Sequence, residues 1–409
     1  MERPVVVGID IGTTKVCTLI ARVEDDRSLR ILGVGIEASQ GVRNGTIIDL
    51  ASATQAISRS VEKAERSSGL EIASALVSLA GSHVSSINSR GVVAISGRVI
   101  DQDDVDRALE AAQAVAIPHN REIIHVIQRS FSVDGQEGVR MPIGMHGYRM
   151  EVEAHIITAA AATVENIRQC VEEAGVQVQQ FVLNPLASGE VVLTDTEREM
   201  GTVVCDIGGG TTDMAIYIEG DVWHTMVLSV GGNHITSDIA HGLRLPISQA
   251  EDIKKEHGHA VEREISDDQI MTIRSFGEDE PIQYKKKDLA FVIEARAEEI
   301  FQMVLQEIKR SGYDGLLPAG MVLTGGTSNL PGIRHLASQT LGLPVRIAQP
   351  ENMVGLVDQI NSPAFSTSVG LLNWALIMSE SSQRRRTSRI KAPKFGWNNI
   401  KGFLRRLLP

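Results

Sequence analysis

The apolar residues of this chain fall into two spacings. Two β-branched runs break at glycine and resume. VVVGIDIGTTK at residues 5–15 leads into VCTLIA, and VVCDIGGGTTD at residues 203–213 leads into MAIYI. Each predicts a strand–turn–strand hairpin, with an aspartate, Asp10 or Asp206, at the end of its first strand. A third apolar run, GMVLTGG, predicts a strand entering the Gly325-Gly326 turn, with Ser328 and Asn329 as a helix cap before Pro331. Between the hairpins, residues 90–97, 122–135 and 148–160 read as strands. Residues 101–116 read as an amphipathic helix capped by Asp101, with Asp104 in its first turn. These elements predict a small α+β unit inserted into the first half of the chain, within which His125 alternates with apolar neighbours and is expected to be structural.

The repeat carries the candidate chemistry. A glycine turn lets several backbone N–H groups converge, and such a concavity binds anions, usually phosphate. Gly12 serves the first turn, and Gly208, Gly209 and Gly210 the second. Thr13, Thr14, Thr211 and Thr212 add hydroxyl donors, and Lys15 adds a cation. An aspartate beside each turn would repel phosphate unless a metal lay between. Mg²⁺ favours one or two carboxylates together with water and phosphate oxygens. Either hairpin alone is as readily a plain glycine-turn hairpin. Two of them, with matching aspartates, point to a magnesium nucleotide held in a cleft, Asp10 and Asp206 holding the ion through water. Gly232, Gly325, Gly326 and Asn329 extend the set toward a ribose or base. Glu251, Lys254 and Lys255 share one helix face, which either reaches the nucleotide or is solvated. Cys17 and Cys205 lie in or beside the hairpin strands with no histidine near in sequence, and read as small core residues.

Composition narrows the class. The chain has 409 residues, 43% hydrophobic and 22% charged, which excludes a disordered chain, a collagen-like repeat and a multi-span membrane protein. Its length allows two to four compact units. The apolar run at residues 368–378 is far short of the ~20 residues a spanning helix needs. The opening MERPVVVGID lacks a signal-peptide pattern, and three cysteines without a CxxC pair argue against a disulfide framework, so a reducing cytosolic setting is expected. Net charge is −11, but residues 384–409 hold nine Lys/Arg and no Asp/Glu, leaving 31 Lys/Arg against 51 Asp/Glu before them. Residues 379–393 read as a flexible basic linker. After it, Trp397, Ile400, Phe403, Leu404, Leu407 and Leu408 fall within an arc of about 140° on a helix, flanked by Lys401, Arg405 and Arg406. That is a basic amphipathic helix of the interfacial type, suited to anionic lipid. Several copies on one polymer would bind far more firmly than one.

The two hairpins and the late VLTGG strand resemble the actin-like ATPase superfamily. The resemblance implies an α/β fold: two ribonuclease-H-like halves around a nucleotide cleft, with a small inserted α+β subdomain. The hairpins would be its two phosphate motifs, and Gly325-Gly326 its adenosine motif. NPLASGEVVL (residues 184–193) is similar to the superfamily's connecting helix. Asn184 stands where an acidic residue or an amide positions the attacking water, and an amide implies slow hydrolysis with ATP mainly a structural ligand.

With its insert and tail, the chain resembles the FtsA family of bacterial division proteins over essentially its whole length. GMVLTGGTSNLPG, LTDTEREMGTVVCDIGGGTTDMAIY and VIEARAEEI carry the likeness. The implied organisation is a first ribonuclease-H-like subdomain (1–83, 161–197 and 346–378), an inserted interaction subdomain (84–160) and a second ribonuclease-H-like subdomain (198–237 and 307–345). A helical/β subdomain with nucleotide and FtsZ contacts (238–306), a linker (379–393) and a membrane-targeting helix (394–409) complete it. The resemblance further implies ATP-dependent polymerisation with other subunits of the same family at the cytoplasmic side of the inner membrane, at the division site. It implies capture of the C-terminal peptide of FtsZ, the tubulin-like ring protein, by the VIEARAEEI helix through Arg296 and Glu299, with the Lys285-Lys286-Lys287 run attracting the acidic peptide. Later division proteins are further partners. A small-molecule (sugar) kinase on the same fold, or a related pilus or secretion scaffold, are the alternatives.

Overall fold

The computed structural model describes residues 4–26, 28–277 and 280–389, of which 379–389 by backbone alone. Two sheets repeat one topology. In the first half, strands Val5–Ile11, Lys15–Val23 and Leu29–Ala38 run antiparallel to one another. Ser74–Leu79 and then Gln177–Leu183 add in parallel on the other side of the first strand. In the second half, Thr202–Ile207, Thr212–Ile218 and Asp221–Leu228 form the antiparallel part. Met321–Thr324 and Val345–Ile347 add in parallel. The strand order of each half is therefore the same, and a short strand Met353–Gly355 extends the first sheet. The inner parallel strands Ser74–Leu79, Thr202–Ile207 and Met321–Thr324 are buried along nearly their whole length, as strands covered on both faces are.

The insert is a four-stranded antiparallel sheet, Ser85–Ala94, Arg149–Ala160, Arg121–Val133 and Gln136–Val139, covered by helix Gln102–Gln113. The helix opens with a capping box: Asp101 accepts from the Asp104 N–H at 3.0 Å, and Asp104 accepts from the Asp101 N–H at 3.1 Å. Asp104 is wholly buried and is also held by Arg98 and Arg107. The first strand of the insert begins five residues before the predicted 90–97, since its polar serines and Asn88 mask the alternation. The insert also docks on the second half. His155 bridges Asn88 Oδ1 (2.7 Å) and Thr225 Oγ1 (2.9 Å), and Ser86 donates to the Thr225 carbonyl. Burial lowers the His155 pKa to about 3, so this bridge is made by a neutral imidazole.

Two expectations from the sequence change here. Ser328 and Asn329 do not cap a helix. They lie in a short 3₁₀ turn, Gly326–Asn329, and the next helix, Ile333–Leu341, starts from Gly332. Helix Ser366–Arg389 runs through most of the segment expected to be a flexible linker. Once a helix is nucleated in the core, each further residue adds one hydrogen bond per residue fixed, and Glu, Gln and Arg propagate it well. The expected amphipathic helix of Trp397 to Leu408 lies outside the described residues. As expected of a structural residue, His125 is buried. It accepts from the Leu183 N–H at 3.1 Å and packs edge-on against Trp374. Burial lowers its pKa to about 4.

Candidate functional site

The two hairpin turns meet. In the first, the Gly12 N–H donates to the Lys15 carbonyl at 2.9 Å. In the second, the Gly208 N–H donates to the Thr211 carbonyl at 2.9 Å. The ladders beside them match as well: Asp10 pairs with Cys17 and Asp206 with Asp213. By this register Gly209 and Gly210 are the counterparts of Thr13 and Thr14, and the two turns interlock reciprocally. A Cβ on Gly209 would stand 2.1 Å from Thr14 Oγ1, and one on Gly210 would stand 2.5 Å from Thr13 Oγ1. The glycines of one turn are the space that the threonines of the other fill.

Register also corrects a sequence expectation. Matching the Thr-Thr pairs by sequence puts Thr211 and Thr212 where Thr13 and Thr14 are, two residues out of step. Thr212 takes the ladder position of Val16. Its hydroxyl is buried and donates to the Val230 carbonyl at 2.8 Å, so it is no free donor for an anion. Thr211 does reach the cleft, but donates to Asp213 Oδ2 at 2.8 Å.

The turns form one wall of a cavity of about 430 Å³. Asp10, Gly12, Thr13, Thr14, Lys15, Asn184, Asp206, Gly208, Gly209, Gly210 and Thr211 line it. So do Gly232, Glu251, Lys254, Gly325, Gly326 and Asn329, and Lys255 beside them. One helix fixes both aspartates: in the first turn of Ser366–Arg389, Thr367 donates to Asp206 Oδ2 at 2.9 Å and Ser368 to Asp10 Oδ2 at 2.7 Å. Burial pushes the Asp206 carboxyl up to about 6, with the Thr367 hydroxyl opposing and the Asp10 charge adding to the rise. Lys15 donates to the Ala364 carbonyl and lies 4.7 Å above the Phe365 ring. Lys254 pairs with Glu251 at 2.6 Å and donates to the Gly232 carbonyl at 3.0 Å. The i, i+3 face thus packs into the site, leaving Lys255 as its exposed edge. Gly325 has a φ of 88° and presses against Asp206, and Thr327 ties the same loop to the Gly208 carbonyl at 3.0 Å.

Several lining residues were not legible in the sequence. Asp213 is 1% exposed, and its carboxyl is pushed well above the usual range by burial first and by Asp206 next. Its Oδ1 accepts no hydrogen bond, and neither does the buried Oδ1 of Asn184. Asn233, Thr327, Ala364 and Thr367 also line the cavity. Only the ladder position of Asp213, one strand across from Asp206, could have flagged it. Cys17 and Cys205 are wholly buried, and burial pushes the Cys17 thiol up to about 12. Arg296 and Glu299 lie away from the cavity on helix Lys286–Ser311, where Arg296 holds Asp238 with two bonds of 2.6 and 3.1 Å and also contacts Glu299.

The duplicated sheets around one cleft are the actin-like ATPase fold. Solved structures share it at low sequence identity. The PilM–PilN type IV pilus biogenesis complex matches with a TM-score of 0.64 at 16% identity, covering 91% of this chain and 98% of that one. MreB5 of Spiroplasma citri bound to AMPPNP matches at 0.55 and 15%, covering 95% and 99%. The family model for the cell division protein FtsA matches residues 203–370, and that for the SHS2 domain inserted in FtsA matches residues 81–158. The cell division protein FtsA of Pseudomonas aeruginosa is 42% identical over 371 residues, 91% of this chain and 89% of its own length. That of Escherichia coli is 36% identical over 403 residues, 97% and 96%. The chain belongs to the FtsA family of cell division proteins. Among the described residues, no helix is long and apolar enough to cross a membrane.

Proposed function

We propose that the chain binds ATP with Mg²⁺ in this cleft, assembles with further copies on the inner face of the cytoplasmic membrane, and tethers FtsZ there during division. The reciprocal packing of Gly209 and Gly210 on Thr14 and Thr13 carries the nucleotide reading. It brings two N–H-rich turns and two aspartates, one of each from each half, to a single crevice. Among the described residues, no three His, Cys, Asp or Glu side chains converge as a ready-made cage. A divalent ion would therefore rest on Asp10 and Asp206 through water and on phosphate oxygens, the arrangement Mg²⁺ prefers. Bound there, the ion would neutralise phosphate charge. The turns and Lys15 would hold the phosphates, and Lys254, Gly325, Gly326 and Asn329 would flank the nucleoside. Solved structures of MreB5, which shares the fold, are described with ADP and with AMPPNP.

Closure of the two halves on ATP would favour contacts between copies. Arg296 and Glu299 would present helix Lys286–Ser311 to the FtsZ C-terminal peptide, and Trp397 to Leu408 would insert into anionic lipid. Asn184, an amide, favours slow turnover. Liposome co-pelleting tests the tether. The full chain should pellet with anionic vesicles and carry FtsZ with it, while a chain ending at Arg389 should do neither. Equal pelleting of both chains removes the tail from the mechanism. Rapid phosphate release, at the rate of an efficient ATPase, would refute the slow-turnover part.

A further inference from the structure

A buried relay joins the insert to the second half. Asn88 and His155 face each other on adjacent strands of the insert sheet. Asn88 Oδ1 can only accept, so His155 donates to it from Nδ1 at 2.7 Å, which leaves Nε2 to accept from Thr225 Oγ1 at 2.9 Å. The Asn88 amide nitrogen in turn donates to the Tyr313 hydroxyl at 3.4 Å. Two residues of the insert thus hold two of the second half. Beside them Arg129 of the insert stacks over Trp223 at 4.1 Å, and Trp223 meets Tyr313 edge-on. Solvent is shut out of the relay's centre, where His155 is 1% exposed and Thr225 3%. The contact is not fully satisfied, because Arg129 Nε is buried without an acceptor. A buried donor left unpaired lowers the cost of separating the two surfaces.

The topology links this contact to the cleft. Thr225 lies on Asp221–Leu228, which pairs along its length with Thr212–Ile218, the strand that leaves the second glycine turn. The insert is fixed to the first half by its two chain crossings and by His125, which accepts from the Leu183 N–H. The second turn cannot part from the first as a rigid piece without drawing Thr225 away from His155. Interlocked turns and a docked insert are therefore one arrangement.

We propose that the docked insert is a latch on the cleft. While Asn88 and His155 hold Tyr313 and Thr225, the turns stay interlocked and bound nucleotide is retained. Undocking lets the halves part and the nucleotide leave. This rests on the reading of the cavity as an ATP site. Docking and closure bias the same equilibrium, so each contact removed from the latch shifts it toward the open form.

The test follows release of a fluorescent ADP from the full chain, with nucleotide affinity measured beside it. Thr225→Val keeps the side-chain shape and removes the hydroxyl that donates to His155, so release should quicken about three- to tenfold. Asn88→Cys combined with Tyr313→Cys tests both signs in one polypeptide. Unlinked, the pair has lost a contact and should release faster than wild type. Joined by a short bismaleimide, it should release about fivefold more slowly than wild type. The native cysteines are all buried, which leaves the reagent to the new pair. If these bonds only supported the fold, linking would restore the wild-type rate and go no lower. Linked release at or above the wild-type rate overturns the proposal, as does unchanged release in Thr225→Val. Wild type that binds ADP and releases it indifferently to both changes overturns the latch and spares the cleft. Wild type that binds no nucleotide refutes the cleft reading itself.

Discussion

Replacing Gly209 with alanine adds one methyl at the point where the two halves interlock. The new Cβ would lie 2.1 Å from Thr14 Oγ1 and 3.1 Å from Asn233 Oδ1, well inside ordinary contact distance. Thr14 is β-branched and has few χ1 positions to escape into. Overpacking of this kind costs about 1–3 kcal/mol. The clash spans the two hairpins, so the cheapest relief is to part the turns rather than to unfold a sheet. The strain should therefore appear in nucleotide binding more than in the melting temperature. At about 1.4 kcal/mol per tenfold, ATP affinity should fall roughly 5- to 150-fold, read by titration with a fluorescent ATP analogue. The Thr14 Cβ is 3.4 Å from the added methyl, which is tolerable. Adding Thr14→Ala should then recover part of the loss, and a double-mutant cycle isolates the coupling. ATP affinity of Gly209→Ala within twofold of wild type, or no recovery in the double variant, would refute the interlocked-turn reasoning.

The neutral histidines set an acid limit. The folded pKa of His155, about 3, lies below the ordinary 6.5, so the unfolded chain takes up that proton first. Its stabilisation stands above pH 6.5 and drains as pH falls toward 3, at up to about 1.4 kcal/mol per unit. Urea unfolding of His155→Gln should be less pH-dependent between pH 6.5 and 4. An unchanged slope would exonerate His155. Arg296→Ala should weaken FtsZ C-terminal peptide binding about tenfold, while loss of its partly exposed pairing with Asp238 costs only about 1 kcal/mol of stability. Anisotropy with labelled peptide decides this, and unaltered affinity removes Arg296 from the contact.

What the sequence disclosed was local. A β-branched run, an aspartate and a glycine turn occupy one short stretch of chain, so Asp10 and Asp206 could be singled out without knowing the fold. The insert was equally readable, because its helix announces itself through Asp101 and Asp104. The threonine misreading has a plain cause. Thr211 and Thr212 look equivalent to Thr13 and Thr14 in the one-letter string, yet pairing is counted from the strand ladder, and the second turn carries two more glycines. Thr212 consequently became a ladder residue with a buried hydroxyl. Ser328 and Asn329 lie in a 3₁₀ turn that follows directly on the close passage of Gly325 past Asp206.

By itself, then, the chain's order of residues determined which segments would be hairpins, where their glycine turns would fall, and that the pattern occurs twice. Local preference and periodicity act over a few residues, and those features need no more. Only the folded molecule decided that the turns interlock, that Thr367 and Ser368 of one helix hold Asp206 and Asp10, and that Asp213 and Asn184 share a cavity with oxygens unsatisfied. Asp10 and Ser368 are 358 residues apart in sequence and 2.7 Å apart in space. Such contacts are chosen by burial and strand register across the whole domain.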